Sequence, residues 1–512
     1  MQRLLWLAGT LALALGFSAP VDTHPQLLPQ AQEELLGEIS QKSPLGEISA
    51  TYSPDRRRVA WIDARGKFAA IVTKAAVVVN TESQAEYGTI MSLSFSPDGQ
   101  HVAYVARTGK KWRYVLNGQE GPAFNEVTAA AFSPDSRHLA YAARQGKTWT
   151  MTIDGELGGV GANASSALWT GLPGFSPDGQ RLVYCRWASK EGTTVVLDGK
   201  EGPFYHHVHG LVFSADSRRL AYAGVKFVKN GTEGRILVDT QEGPLFKGLP
   251  PLVVGRVLLD APTPQTLYPD LFFEGGHFLT SQVGALAYWV GVKELKRELS
   301  PRGLGVSAPI ISPDSRAIAY AARRGPGDEV VMMNGEPGPR FGTILTVPRF
   351  SPDGAHVAYL AIEDKRQAFE MVDGQKRRSI PFTAADNFAS HITFSPDGQR
   401  IAYVLGDCDK RPNVGGAGLE ARRRVVLDGI EGKPYFTKAV NNLRFSPDGR
   451  HLAYEVFESR LGKDKAFVVV DGHEGKAYDD VLWGSLMFSG PAELVYIARD
   501  DRRFSRVVQR LE

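Results

Sequence analysis

Apolar positions along this chain come as pairs of short runs separated by a fixed polar turn. Phe95 is followed by Ser96-Pro97-Asp98-Gly99 and then by Val102-Ala103-Tyr104. The same pattern opens at Phe132, Phe175, Phe213, Ile311, Phe350, Phe394 and Phe445. It closes at Tyr141, Tyr184, Tyr222, Tyr320, Tyr359, Tyr403 and Tyr454. Tyr52-Ser53-Pro54-Asp55 opens the earliest copy, with Trp61 in the closing place. In all nine copies the closing aromatic lies nine positions after the opening residue. Proline presets φ for a turn, the serine hydroxyl bonds the backbone ahead, and glycine tolerates the exit geometry. Each copy therefore predicts a hairpin whose strands carry an aromatic and a branched aliphatic to a shared core. An isolated hairpin is marginal in water, so the copies must stack on one another.

A second unit follows each hairpin. Val115-Leu116-Asn117-Gly118 is matched by Val196-Leu197-Asp198-Gly199, Val426-Leu427-Asp428-Gly429 and Val469-Val470-Asp471-Gly472. Looser versions lie at Ile153-Asp154-Gly155, Val238-Asp239, Met333-Asn334-Gly335 and Val372-Asp373-Gly374. Asn-Gly or Asp-Gly after a β-branched run is a strong hairpin signal, because a type I′ turn needs positive φ twice. Four short strands per period are expected. The turn serines fall at 53, 96, 133, 176 and 214, then at 312, 351, 395 and 446. The interval of 98 between Ser214 and Ser312 is too long for one period. It holds a Pro-rich span from Pro250 to Pro269, then a decayed copy ending at Leu286-Ala287-Tyr288. Phe488-Ser489-Gly490 with Leu494-Val495-Tyr496 is another decayed copy, bringing the total to eleven.

A period near 40 residues with four strands is the signature of a β-propeller blade. The Phe-Ser-Pro-Asp-Gly turn with its Ile/Leu/Val-Ala-Tyr strand resembles the WD-repeat-like blades of the TolB propeller family, and the propellers attached to prolyl-oligopeptidase-type enzymes. The resemblance runs from about Gly46 to the C-terminus and implies an all-β fold. No α/β domain precedes the repeats, unlike TolB itself. The expected organisation is a signal peptide at 1–19, a linker or closure segment at 20–44, a five-bladed ring at 45–258 and a six-bladed ring at 259–512. One large ring is the alternative. Residues 39–50 and 504–511 are candidates for ring closure, and Glu33 to Ile39 reads as either helical turns or a closing strand.

Composition narrows the function. With 59 basic and 56 acidic residues the net charge is +3, without the concentrated basic footprint of a nucleic-acid binder. Arg3 followed by the apolar run Leu4 to Phe17 reads as a secretory signal, with an uncleaved anchor as the alternative. No later stretch is apolar for long enough to span a membrane as a helix. The chain is accordingly expected to be exported, periplasmic or secreted. Cys185 and Cys408 are its two cysteines. A buried Cys185 thiol is expected, with a bridge between the two as the alternative in an oxidising compartment.

The sequence shows no Gly-x-Ser-x-Gly elbow, His-Glu-x-x-His pair or phosphate-cradling loop. Asp98, Asp135, Asp178 and their counterparts recur because each turn needs one. His207 and His209 share one side of a strand, but two imidazoles need a third ligand to make a metal site. No metal and no cofactor are expected. The residues before each opening aromatic enter the innermost strand, and polar ones there are candidate channel-lining residues. Arg349, His391, Asn442 and Arg444 are of this kind; Trp169, Asn441 and Trp483 are loop candidates on the same face. The reading that follows is a non-catalytic propeller binding a protein or polysaccharide partner. The alternative is a propeller-based glycan lyase or hydrolase using His391, Arg349 and Arg444.

Overall fold

The computed structural model describes residues 31–40, 49–65, 74–128, 130–157, 168–169, 173–188, 191–229, 231–247, 306–325, 327–363, 367–380, 386–407, 421–437, 439–460 and 463–511. Every regular element among them is a strand. The strands form ten antiparallel sheets of four or five strands. In chain order these blades span residues 50–87, 89–120, 126–157, 168–205, 207–247, 310–341, 343–380, 386–437, 439–474 and 480–510.

The turns are built as their residues dictate. Ser96 Oγ donates to Asp98 Oδ1 at 2.5 Å and accepts from the His101 amide at 2.9 Å, while Asp98 Oδ1 also accepts from the Gln100 amide. The serine bond holds the Asp98 carboxyl below the usual carboxylate range. Blades 1 and 3–9 repeat the serine–aspartate bond. In the second turn Asn117 and Gly118 have φ of +49° and +79°, the type I′ geometry. Asn117 Oδ1 then reaches back to the Val102 amide at 2.9 Å, locking the two turns of the blade together. Asp154, Asp198, Asp239, Asp373, Asp428 and Asp471 do the same.

Side chains alternate across each strand, so every blade presents two apolar faces. Ten core clusters form, one between each pair of successive blades. The cluster of Val102, Tyr104 and Val77 joins blades 1 and 2, and that of Tyr141, Tyr114 and Val105 joins blades 2 and 3. Further clusters link blades 3 to 4 and 4 to 5. Others join 6 to 7, 7 to 8, 8 to 9 and 9 to 10. An aromatic near the outer strand often lies edge-on against the motif tyrosine of the next blade, as Tyr87 does on Tyr104 with ring centroids 6.1 Å apart. Such pairs add about 0.5–1.5 kcal/mol beyond burial.

Two clusters decide the ring count. Ala223, Ile236 and Phe246 of blade 5 pack on Val306, Tyr320 and Ala322 at the start of blade 6. Leu482 and Ile497 of blade 10 pack on Tyr52, Val59 and Trp61 of blade 1. Blade 5 therefore passes its free face forward to blade 6 instead of back to blade 1, and the described residues make one ring of ten blades. The expected division into two rings is corrected accordingly, in favour of the single large ring given as its alternative. The copy ending at Tyr288 and the boundary at 258/259 lie outside the described residues. So does the signal segment 1–19.

The ring is closed by strand Gln32–Glu38, which pairs antiparallel with Arg503–Arg510 and completes blade 10. The closing strand thus comes from the segment read as Glu33 to Ile39 and pairs with the expected 504–511 segment, while most of 39–50 lies outside the described residues. Gly37 is required there, since a Cβ on it would sit 2.2 Å from the Asn80 carbonyl and 2.7 Å from the Trp61 ring. First strands of neighbouring blades touch one another around the axis, and short fourth strands such as Gln119–Glu120, Gln241–Glu242 and Ile430–Glu431 are exposed at the rim. No helix among the described residues is long and apolar enough to cross a membrane.

Candidate functional site

The first strand of blade 9, Ala439–Phe445, breaks its pairing with the second between Asn441 and Arg444. Asn442 occupies the break in a left-handed conformation, φ +53°. Blades 2 and 5 carry the same bulge with Ser92 and Gly210 in that place. A bulge re-aims side chains and upsets simple alternation. For this reason Ser92 is buried, although parity counted back from Phe95 places it toward the channel.

In blade 9 the bulge brings three polar residues onto one buried carboxyl. Glu455 pairs with Asn441 across the ladder and has no exposed surface. Asn442 Nδ2 donates to Glu455 Oε1 at 2.9 Å, and Arg444 Nε donates to Asn442 Oδ1 at 3.0 Å. Glu455 Oε2 and Asn441 Nδ2 are buried without a hydrogen-bond partner. Burial disfavours the charged form and pushes the Glu455 carboxyl up to about 8. The Asn442 amide, the Leu486 and Gly484 backbone amides and the Arg444 charge oppose this and are outweighed. Glu455 is consequently protonated at neutral pH.

The facing wall is the loop 482–486, which links the two short pieces of the first strand of blade 10. Gly484 in it has φ +71°. Blade 1 holds this loop from the other side. Tyr52 Oη donates to the Trp483 carbonyl at 2.9 Å, and Arg56 donates to the Ser485 carbonyl at 2.8 Å and to the Gly484 carbonyl at 3.2 Å. With its backbone held this way, Trp483 remains 52% exposed and packs at a tilt against Phe457 with ring centroids 6.3 Å apart. Three blades thus meet at one seam, with an exposed indole above a buried acid.

Of the nine candidate residues, Asn441, Asn442, Arg444 and Trp483 gather at this seam. His207 and His209 do not; they lie on the first strand of blade 5, stacked with ring centroids 5.3 Å apart. Both are buried, and burial lowers them to about 4 and about 3. Both ring nitrogens of His209 lack a hydrogen-bond partner. No group of three or more His, Cys, Asp or Glu suited to a metal ion occurs among the described residues. Arg349 lies half-buried in blade 7, two blades from Arg444. Trp169 pairs with Arg186 in blade 4 and His391 lies in the first strand of blade 8; their side chains are outside the described residues. Cys185 is buried between blades 4 and 5, and Cys408 is outside the described residues.

Glu455, Tyr52 and Arg56 were missed by sequence reasoning. A signal for Glu455 existed. The residue after the closing aromatic is Ile62, Val105, Ala142, Cys185, Ala223, Ala321, Leu360, Val404 and Ile497 in the other blades. An acid in that place breaks an otherwise apolar column.

No family model matches the chain. By its sheets it is a β-propeller, and solved structures of that architecture align with it. It is similar to a eukaryotic initiation factor at 12% identity and TM-score 0.40, over 79% of this chain and 91% of that one. It is similar to the Dos1 propeller at 11% identity and TM-score 0.32, over 72% and 92%. It is also similar to dihydro-heme d1 dehydrogenase NirN in complex with DHE at 13% identity and TM-score 0.32, over 85% and 84%. The likeness is one of fold alone, spread over enzymes and non-enzymes alike.

Proposed function

We propose that this chain is an exported, non-catalytic propeller of TolB-like type that binds a protein or an envelope or extracellular polymer at the seam of blades 9, 10 and 1. One observation carries the reading: Trp483 is exposed while its backbone is clamped by Tyr52 and Arg56. A large aromatic held in place before binding loses little entropy on contact, which is why such residues dominate interfaces. Asn442 and Arg444 at its foot supply hydrogen-bond donors, and the apolar leader from Leu4 to Phe17 supports export. The test is affinity capture from an envelope and culture-medium extract with the wild type and with Trp483→Ala. A partner held by the wild type and lost by the variant, at unchanged thermal midpoint, is the expected result. Equal recovery by both, or turnover of a glycan with no retained partner, would overturn it.

The enzyme alternative draws on the raised Glu455 acid beside Arg444. It has the weaker support, because a carboxyl with no exposed surface touches no substrate as the site stands.

A further inference from the structure

We propose that Glu455 is a proton-operated latch that seats the 482–486 loop and Trp483 when protonated and loosens them when ionised. The consequence for binding rests on the reading above; the behaviour of the loop does not.

The geometry sets the direction. Glu455 points from the second strand of blade 9 toward blade 10, the side on which Ala453 packs against Leu486 and Leu494. Nothing but protein surrounds it while the loop is seated. Its charged neighbours are Arg444 on its own blade and Arg56 on blade 1, with the Tyr52 phenol beside them. The loop contributes only backbone amides. Arg56 is itself committed to the Ser485, Gly484 and Pro54 carbonyls, and Arg444 Nε to Asn442. The cations are thus placed to hold the frame more than to neutralise the acid. A neutral carboxylic acid fits this cage; a carboxylate draws water into it.

Opening the loop hydrates Glu455 and returns it toward the ordinary value of about 4.3. The seated form binds the proton more tightly, so the linkage is fixed in sign. Below about pH 4 the latch is fully engaged. As pH rises, the opening equilibrium shifts about tenfold per unit, and the shift levels off near the seated value of about 8. Neutral pH lies on the slope, where a change of one unit alters the seated population most.

The experiment is amide hydrogen exchange of residues 482–486, corrected for intrinsic rates, from pH 5.5 to 7.5. The wild type is expected to lose about a hundredfold in protection over those two units. Glu455→Gln, which keeps the Asn442 contact, is expected to lose that dependence and retain only a smaller change from the Asp480 carboxyl at the foot of the loop, which burial raises to about 6. Identical profiles overturn the latch. If Glu455→Gln fails to fold, fluorine NMR of wild type labelled with 5-fluorotryptophan, with Trp483 assigned through Trp483→Phe, replaces it. A Trp483 signal that does not change between pH 5.5 and 8.5 overturns the proposal equally. A working latch together with undiminished capture by Trp483→Ala would retain the latch and remove the binding reading.

Discussion

The two buried histidines predict an acid limb in stability that opposes the effect of Glu455. Each imidazole has an ordinary value near 6.5, lowered in the fold to about 4 for His207 and about 3 for His209 by burial, with His207 adding repulsion at His209. The fold therefore holds both neutral, and their penalty grows as pH falls below 6.5. At pH 5 both still lie above their folded values and are 1.5 units below the ordinary one. At about 1.4 kcal/mol per unit, each costs about 2 kcal/mol and the pair about 4 kcal/mol. Glu455 runs the other way, with stability greatest below about 4 and lost as pH rises to about 8. The balance puts maximal stability near pH 6.5, falling on both sides. Unfolding entropy of about 2.1 cal/mol/K per residue makes 1 kcal/mol worth about 1 °C for a chain of this size. Calorimetry should therefore show the His207→Leu/His209→Leu variant gaining about 4 °C on wild type between pH 6.5 and 5. An acid limb identical in the two proteins would show that these imidazoles already reach water or a partner in the fold.

Two perturbations test the ring itself. Gly37→Val places side-chain atoms where a Cβ alone meets the Asn80 carbonyl and the Trp61 ring; overpacking of this kind costs 1–3 kcal/mol or more. It should expose Arg503–Arg510 to hydrogen exchange before any other blade, and unchanged protection there would refute closure by this strand. Ser217→Ala removes the hydroxyl that accepts from the Asp178 amide at 3.0 Å. A loss of about 1 kcal/mol, read as about 1 °C in thermal midpoint, is expected, and no change would mean that water replaces the bond.

The blades were legible because their signals are local. Ser-Pro-Asp-Gly and Asn-Gly act within four residues, and both turns form in blade after blade. The number of rings was not legible, because every blade offers the same two apolar faces and the sequence does not say which neighbour each face meets. The interval between Ser214 and Ser312 read as a break, yet Asp216 of blade 5 donates its amide to Ser315 Oγ of blade 6 at 3.0 Å. The closing strand, Gln-Glu-Glu-Leu-Leu-Gly-Glu, has no alternation to announce it. The seam was half legible. Asn442, Arg444 and Trp483 stand out as polar or aromatic residues at inner-strand positions, whereas Glu455 is hidden inside a Leu-Ala-Tyr strand and shows only when the copies are laid side by side.

That comparison also explains why the irregular site sits where it does. The fourth residue of each turn faces the turn of the preceding blade. Serine there donates or accepts across the gap, as Ser136 accepts from the Asp98 amide and Ser315 from that of Asp216. Glycine there lets the backbone approach, as Gly99 does beside Ser53 and Pro54. Blade 10 has lost its Pro-Asp turn, so blade 1 has no standard neighbour to meet. Its fourth residue is Arg56, held in the left-handed region at φ +58°, a conformation seldom adopted by long side chains. The guanidinium spans the gap that a serine could not and takes the Gly484 and Ser485 carbonyls. The lost turn, the long cation that replaces its contact, the buried acid opposite and the exposed indole between them are therefore one linked departure from the repeat. Eight seams hold the ring by the same chemistry, and the two that blade 10 makes are left to differ.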